Sequence, residues 1–78
     1  MKDHTLAEAL GIVFRSARLE RGYSQEQLAA RTGIHRASLA AVERGERAIT
    51  VESAQRIASA LEMQLSEVFK RLEVTAAF

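Results

Sequence analysis

The chain has 78 residues, no cysteine, no proline and a formal net charge of +1. That length holds one domain, spanning 1–78, and excludes a second; the composition excludes disulfides and thiolate metal sites. A chain this short buries only about 60% of its unfolded surface, so oligomerisation is the remaining route to further burial. His4 and His35 are far apart in sequence, and a zinc site on them would need carboxylates to complete it, so neither a metal nor another cofactor is expected. The N-terminal stretch MKDHTLAEALGIVF carries Asp3 and Glu8 and lacks a long apolar run. Neither a signal peptide nor a membrane span is therefore expected, and the chain reads as a soluble cytoplasmic protein.

In chain order, the first predicted helix runs from about residue 6 to 21. Thr5 and Glu8 form a T-x-x-E capping box at its start. Leu6, Leu10, Val13, Phe14 and Ala17 recur at helical spacing and should face a core. Gly22 stops the helix, while Gly11 stands inside its pattern. The second helix is expected over 25–32, with Ser24 and Gln27 as another capping box and Gly33 as its end; Leu28 and Ala29 point inward. The third starts near His35 or Arg36 and ends at Arg44, before Gly45, with Leu39, Val42 and Glu43 as inward positions. Thr50 is a good N-cap for the fourth, whose apolar stripe is Ala54, Ile57, Ala58 and Leu61. Ser66 is expected to cap the fifth, on which Val68, Phe69 and Leu72 are apolar. The C-terminal VTAAF has no assigned place. No alternating strand pattern occurs, and the fold class is all-α, a five-helix bundle.

Charge is uneven along this frame. Residues 15–47 hold seven Arg against four Glu, while the segments on either side are each net negative. Nine of the eleven cations are Arg, the side chain that grips phosphate bidentately and reads guanine edges. The positive stretch coincides with two short helices joined by a tight turn, YSQEQLAARTGIHRASLAAVERG, the layout of a DNA-reading helix-turn-helix. No nucleophile–base pair, phosphate loop or metal cluster points to an enzyme.

Ser24-Gln25-Glu26-Gln27-Leu28-Ala29, Gly33, Val42-Glu43-Arg44-Gly45, Ile49-Thr50-Val51 and Ile57-Ala58-Ser59-Ala60-Leu61 together resemble the lambda-repressor-like (Cro/CI, XRE-type) DNA-binding domain, over roughly residues 8 to 70. Within that family the chain is most similar to the small controller proteins of bacterial restriction–modification systems, through its size, the segment Glu43-Arg44-Gly45-Glu46-Arg47-Ala48-Ile49-Thr50, and Leu61-Glu62 in place of a frequent Leu-Gly. Phage-type repressors and antitoxin regulators share most of the same residues.

Expected roles follow. Arg36 opens the recognition helix, where side chains reach base edges, and is the leading candidate for a direct contact to guanine. Ala37, Ala40 and Ala41 are small enough to let that helix approach the groove floor, so Ala37 and Ala40 join the candidate base contacts, with specificity resting on Arg36, Arg47 and DNA shape. Gln25, in the first turn of the second helix, lies where outward N–H groups favour an anion, and the resemblance makes it a phosphate contact that braces the third helix. Ser38, at the groove edge, is expected on a phosphate. The resemblance sets the loop around Gly45 against the sugar–phosphate backbone, with Arg44 on phosphate and Arg47 reaching bases. Arg15 and Arg31 are further phosphate candidates. His35, when protonated, is another, against its alternative as a neutral turn residue. The resemblance also implies a partly buried structural ion pair between Arg18 and Glu43.

Ile57, Leu61, Leu65, Val68, Phe69 and Leu72 exceed what so small a core needs, and in controller-like relatives the fourth and fifth helices dimerise. A symmetric homodimer on a palindromic stretch of double-stranded DNA is the leading expectation, regulating its own operon, with RNA polymerase as a candidate further partner. An antitoxin-type protein-interaction module using the same fold is the alternative.

Overall fold

A computed structural model describes residues 4–76, of Ala76 the backbone alone. The expectations placed on Met1 to Asp3 and on Phe78 lie outside those residues. Five helices follow in order: α1 Leu6–Glu20, α2 Gln25–Thr32, α3 Arg36–Glu43, α4 Val51–Ala60 and α5 Leu65–Ala76. The fold is all-α, and no helix among the described residues is long and apolar enough to cross a membrane.

Local chemistry sets the boundaries. Thr5 and Ser24 form complete capping boxes: each hydroxyl accepts from the third backbone N–H of its helix, and Glu8 or Gln27 accepts in return from the cap N–H. Thr50 caps α4 by accepting from the Ser53 N–H at 3.1 Å. α1, α3 and α4 end alike, with two crossed backbone bonds over a left-handed residue: Gly22, Gly45 and Glu62 respectively. In α3 the Gly45 N–H reaches the Val42 carbonyl and the Glu46 N–H the Ala41 carbonyl, both at 3.0 Å, which satisfies carbonyls that the helix cannot. α5 departs from expectation. Ser66 does not cap it, because the helix begins one residue earlier. The Gln64 carbonyl accepts from Glu67 and Val68, and Leu65 is drawn into the first turn, its side chain packed against the core.

One core joins the helices: Ala9, Val13, Phe14 and Ala17 from α1, Leu28 from α2, Leu39 and Val42 from α3, Ala54, Ile57 and Ala58 from α4, then Leu61, Val68 and Leu72. α1 packs on both α3 and α5, α2 on α3 and α4, and α4 on α5. Two expectations are corrected by this core. Leu6 is not inward but 62% exposed, because it opens α1 beyond the edge of the helices packed on it; Ala9 takes the buried position instead. Ile57, Leu61, Val68 and Leu72 are not spare surface for a second subunit. They are at most 4% exposed and belong to the single chain's own core. Of the six residues expected at a dimer interface, only half-buried Leu65 and exposed Phe69 offer surface.

That surface is an apolar groove of about 290 Å³, where Leu6 and Leu10 of α1, Val51 of α4, and Leu65 and Phe69 of α5 converge. Leu6, Val51 and Phe69 are all exposed on its rim.

Candidate nucleic-acid interface

The two helices of the motif are held by a turn that hides its own polar groups. Thr32 is buried; its hydroxyl donates to the Leu28 carbonyl at 3.0 Å and accepts from the Ile34 N–H at 3.2 Å. Gly33 between them is left-handed, and Ile34 packs its side chain on the core. α3 is therefore launched from α2 at a set angle, which fixes where its outward face points.

A charged cluster anchors that face from behind. The Arg18 guanidinium donates from Nε to Glu43 Oε2 at 2.7 Å, from Nη2 to Glu43 Oε1 at 3.0 Å, and from Nη1 to the Tyr23 carbonyl at 2.8 Å. Both side chains are almost wholly buried, at 9% and 2% exposure. Gln25 completes the cluster, its Nε2 donating to Glu43 Oε1 at 3.0 Å. One arginine thus ties α1, the loop before α2, and α3 together, with every buried donor matched. Bidentate charge-assisted bonds of this kind are the strong, directional ones.

Gly11 is what lets α1 and α3 meet so closely. A Cβ there would stand 2.4 Å from the Val42 carbonyl oxygen and 2.7 Å from that of Glu43, both backbone atoms. The sequence shows only that a glycine stands inside an otherwise regular helical pattern; the partner that requires it is some thirty residues away.

With Leu39, Val42 and Glu43 turned inward, a helix advancing about 100° per residue presents Ala37, Ala41 and Arg44 at the middle of its outer face. Ala40 and Arg36 follow on one side and Ser38 on the other. Arg36 and Ala37 are exposed, while Ser38, Ala40 and Ala41 are half-buried. The Arg36 side chain makes no hydrogen bond or ion pair among the described residues. His35 is the exposed N-cap of α3, and its side chain makes no capping bond.

The other cations are distributed around this strip. Arg47 lies beyond the Gly45 reversal, which folds the chain back beside α3, and its Nη1 donates to Ser38 Oγ at 3.1 Å. Arg44 pairs with Glu46 at 3.0 Å, both well exposed; the pairing holds the Glu46 carboxyl below its ordinary range and the Arg44 guanidinium above its own. Arg31, at the end of α2, sits 4.4 Å over the Tyr23 ring, a cation–π placement missed from sequence because the two are eight positions apart across a cap. Arg15 is exposed on α1, one turn from both Gly11 and Arg18 and so on the flank that abuts α3. The expected DNA contacts of α3 and its following loop thus lie on or to either side of the outer face of α3, and Gln25 is bonded to Glu43 at the end of the same helix.

A helix-turn-helix family model matches residues 14–68. No curated protein sequence matches the chain. Among solved structures, it is similar to the clp gene regulator ClgR of Corynebacterium glutamicum (TM-score 0.93, 26% identity, 97% of this chain and 81% of that one). It is also similar to the restriction–modification controller C.Esp1396I, seen as a tetramer on its natural 35-base-pair operator (TM-score 0.87, 28% identity, 97% and 100%), and to the controller C.AhdI of Aeromonas hydrophila (TM-score 0.78, 33% identity, 81% and 96%). The family match spans most of the chain and agrees with the turn, the two helices and the uncovered outer face of α3. The chain belongs to the XRE-type helix-turn-helix family of DNA-binding regulators.

Proposed function

We propose that the chain is a homodimeric transcription regulator of the restriction–modification controller type, binding a palindromic operator upstream of its own operon. The observation that carries this reading is the outer face of α3, a strip of alanines with Arg36 on one side and Ser38-bound Arg47 on the other. Small residues let the helix backbone approach a major-groove floor, and arginine is the commonest reader of guanine O6 and N7. Arg44, Arg31 and Arg15 serve the phosphates, and Gln25 joins them through its remaining amide N–H. The operator-bound tetramer of C.Esp1396I supports the same mode of action here. The exposed rim of Leu6, Val51 and Phe69 supports self-association, which would set two recognition helices about 34 Å apart, one turn of DNA. Bound there, the dimer blocks or recruits RNA polymerase according to operator position.

Footprinting on the DNA just upstream of the gene tests this reading. Two protected half-sites related by a dyad are expected, with protection that fades steeply as salt rises, since phosphate contacts release counterions. The absence of any salt-sensitive protection at micromolar protein would count against it. Arg36→Ala should weaken operator binding by about 1–3 kcal/mol and relax preference at one base pair. Equal weakening on operator and random DNA would remove the base-reading role.

A further inference from the structure

We infer that Ser38 is a positioning residue for Arg47: its hydroxyl clamps the loop guanidinium onto the first turn of the recognition helix, so that base selectivity is shared between Arg36 and a side chain from outside that helix. The inference rests on the DNA-reading role proposed above and goes beyond it in assigning Ser38 to Arg47 and not to a phosphate.

Three observations meet here. The first is the contact itself, Arg47 Nη1 to Ser38 Oγ at 3.1 Å, spanning nine residues. The second is the chain reversal that makes it. Gly45 is left-handed at φ 73°, and a Cβ there would stand 2.7 Å from the Glu8 Cα. Glycine is therefore required on both counts, and the reversal it makes brings the chain back beside α3, where Arg47 meets Ser38. The third is the arrangement of α3. Arg36 and Ser38 are two residues apart, about 200° around the helix, with Ala37 between them on the outer face. A guanidinium held at Ser38 therefore lies on the opposite side of the alanine strip from Arg36. The reading surface becomes an alanine floor between two arginines, although α3 supplies only one of them there.

A free arginine loses much rotamer entropy when it engages a base. The Ser38 bond removes part of that loss before binding. It occupies one donor of five and leaves the rest of the planar fork for a bidentate contact. Ser38 is half-buried and beside buried Leu39, and its side chain is short, so it has few torsions to order when it holds Arg47.

Selection from a fully randomised duplex library, read by sequencing, tests the inference with wild type, Arg36→Ala, Arg47→Ala, Ser38→Ala, Ser38→Thr and the Ser38→Ala, Arg47→Ala double variant. Circular dichroism melts verify that each variant is folded. Arg47→Ala is expected to flatten the base preference at one step, distinct from the step that Arg36→Ala flattens. Ser38→Ala should reduce selectivity at the Arg47 step by roughly 3- to 10-fold, the value of one lost solvent-exposed hydrogen bond, and leave the Arg36 step intact. Ser38→Thr, which keeps the hydroxyl, should preserve most of the preference, and Ser38→Ala should add nothing in the Arg47→Ala background. An Arg47 step unaffected by Ser38→Ala overturns the inference and leaves the DNA-reading role standing. Equal weakening by Ser38→Ala on all sequences also overturns it, and makes Ser38 a phosphate contact. No preference for any sequence in the wild-type protein overturns the DNA-reading role itself.

Discussion

Glu43 and Glu62 show how much one residue can carry in a chain this short. Glu43 stands at the end of α3, where a carboxylate would oppose DNA, yet its side chain is only 2% exposed and receives three donors from Arg18 and Gln25. Removing one partner of a buried pair leaves the other charge uncompensated, which typically costs about 3–5 kcal/mol. Glu43→Gln is expected to cost near the lower end of that range, since the amide still accepts one bond. A urea or thermal melt measures it, and an unchanged midpoint would mean that the pair contributes nothing. Glu62 is the opposite case. Among the described residues it is the one non-glycine residue at positive φ, 58°, at the end of α4. A left-handed non-glycine residue costs about 1–2 kcal/mol. The ion pair that Glu62 makes with Arg21 at 2.9 Å is exposed and returns less than that. Glu62→Gly should therefore raise stability by about 0.5–1 kcal/mol, or a few degrees in Tm for a domain of this size; a lowered Tm would show that the Arg21 contact outweighs the backbone strain.

At the scale of elements, helix starts and stops were legible because they are local. A cap hydroxyl and its N3 partner are three positions apart, and Thr5 with Glu8, and Ser24 with Gln27, form the boxes that their spacing implies. The start of α5 was not legible, since Leu65 is pulled into the helix by a core that forms from other segments. The seat of α3 against α1 was equally hidden: it depends on Gly11 facing the Val42 and Glu43 carbonyls across thirty or so residues of chain. Gly11→Ala should gain helix propensity of about 1 kcal/mol and lose more than that to overpacking against backbone that cannot turn aside, typically 1–3 kcal/mol. The net expectation is a less stable protein with weaker DNA binding, measured by chemical denaturation and gel shift. A more stable variant with unchanged binding would show that α1 and α3 can separate freely.

For the whole molecule, the question is what covers the apolar groove. Leu6 and Val51 are more than 60% exposed and Phe69 is 47% exposed on its rim, while their neighbours Val68 and Leu72 are buried. Phe69→Glu should leave the monomer folded and weaken self-association by at least about 100-fold, since an unpaired buried carboxylate costs several kcal/mol. Sedimentation reads the mass and footprinting the loss of two-half-site protection; an undisturbed dimer would move the interface elsewhere. By itself the amino-acid sequence determined the five helices, the caps of α1, α2 and α4, the helix-turn-helix and the concentration of arginine upon it, because each depends on periodicity or on partners a few residues apart. Only the tertiary structure decided which apolar residues are core and which are surface. Ile57, Leu61, Val68 and Leu72 have the same character as Phe69, and burial depends on where the other helices lie. Likewise, only the structure set Arg47 against Ser38 and both opposite Arg36, because that juxtaposition is made by the reversal at Gly45 and not by spacing along the chain.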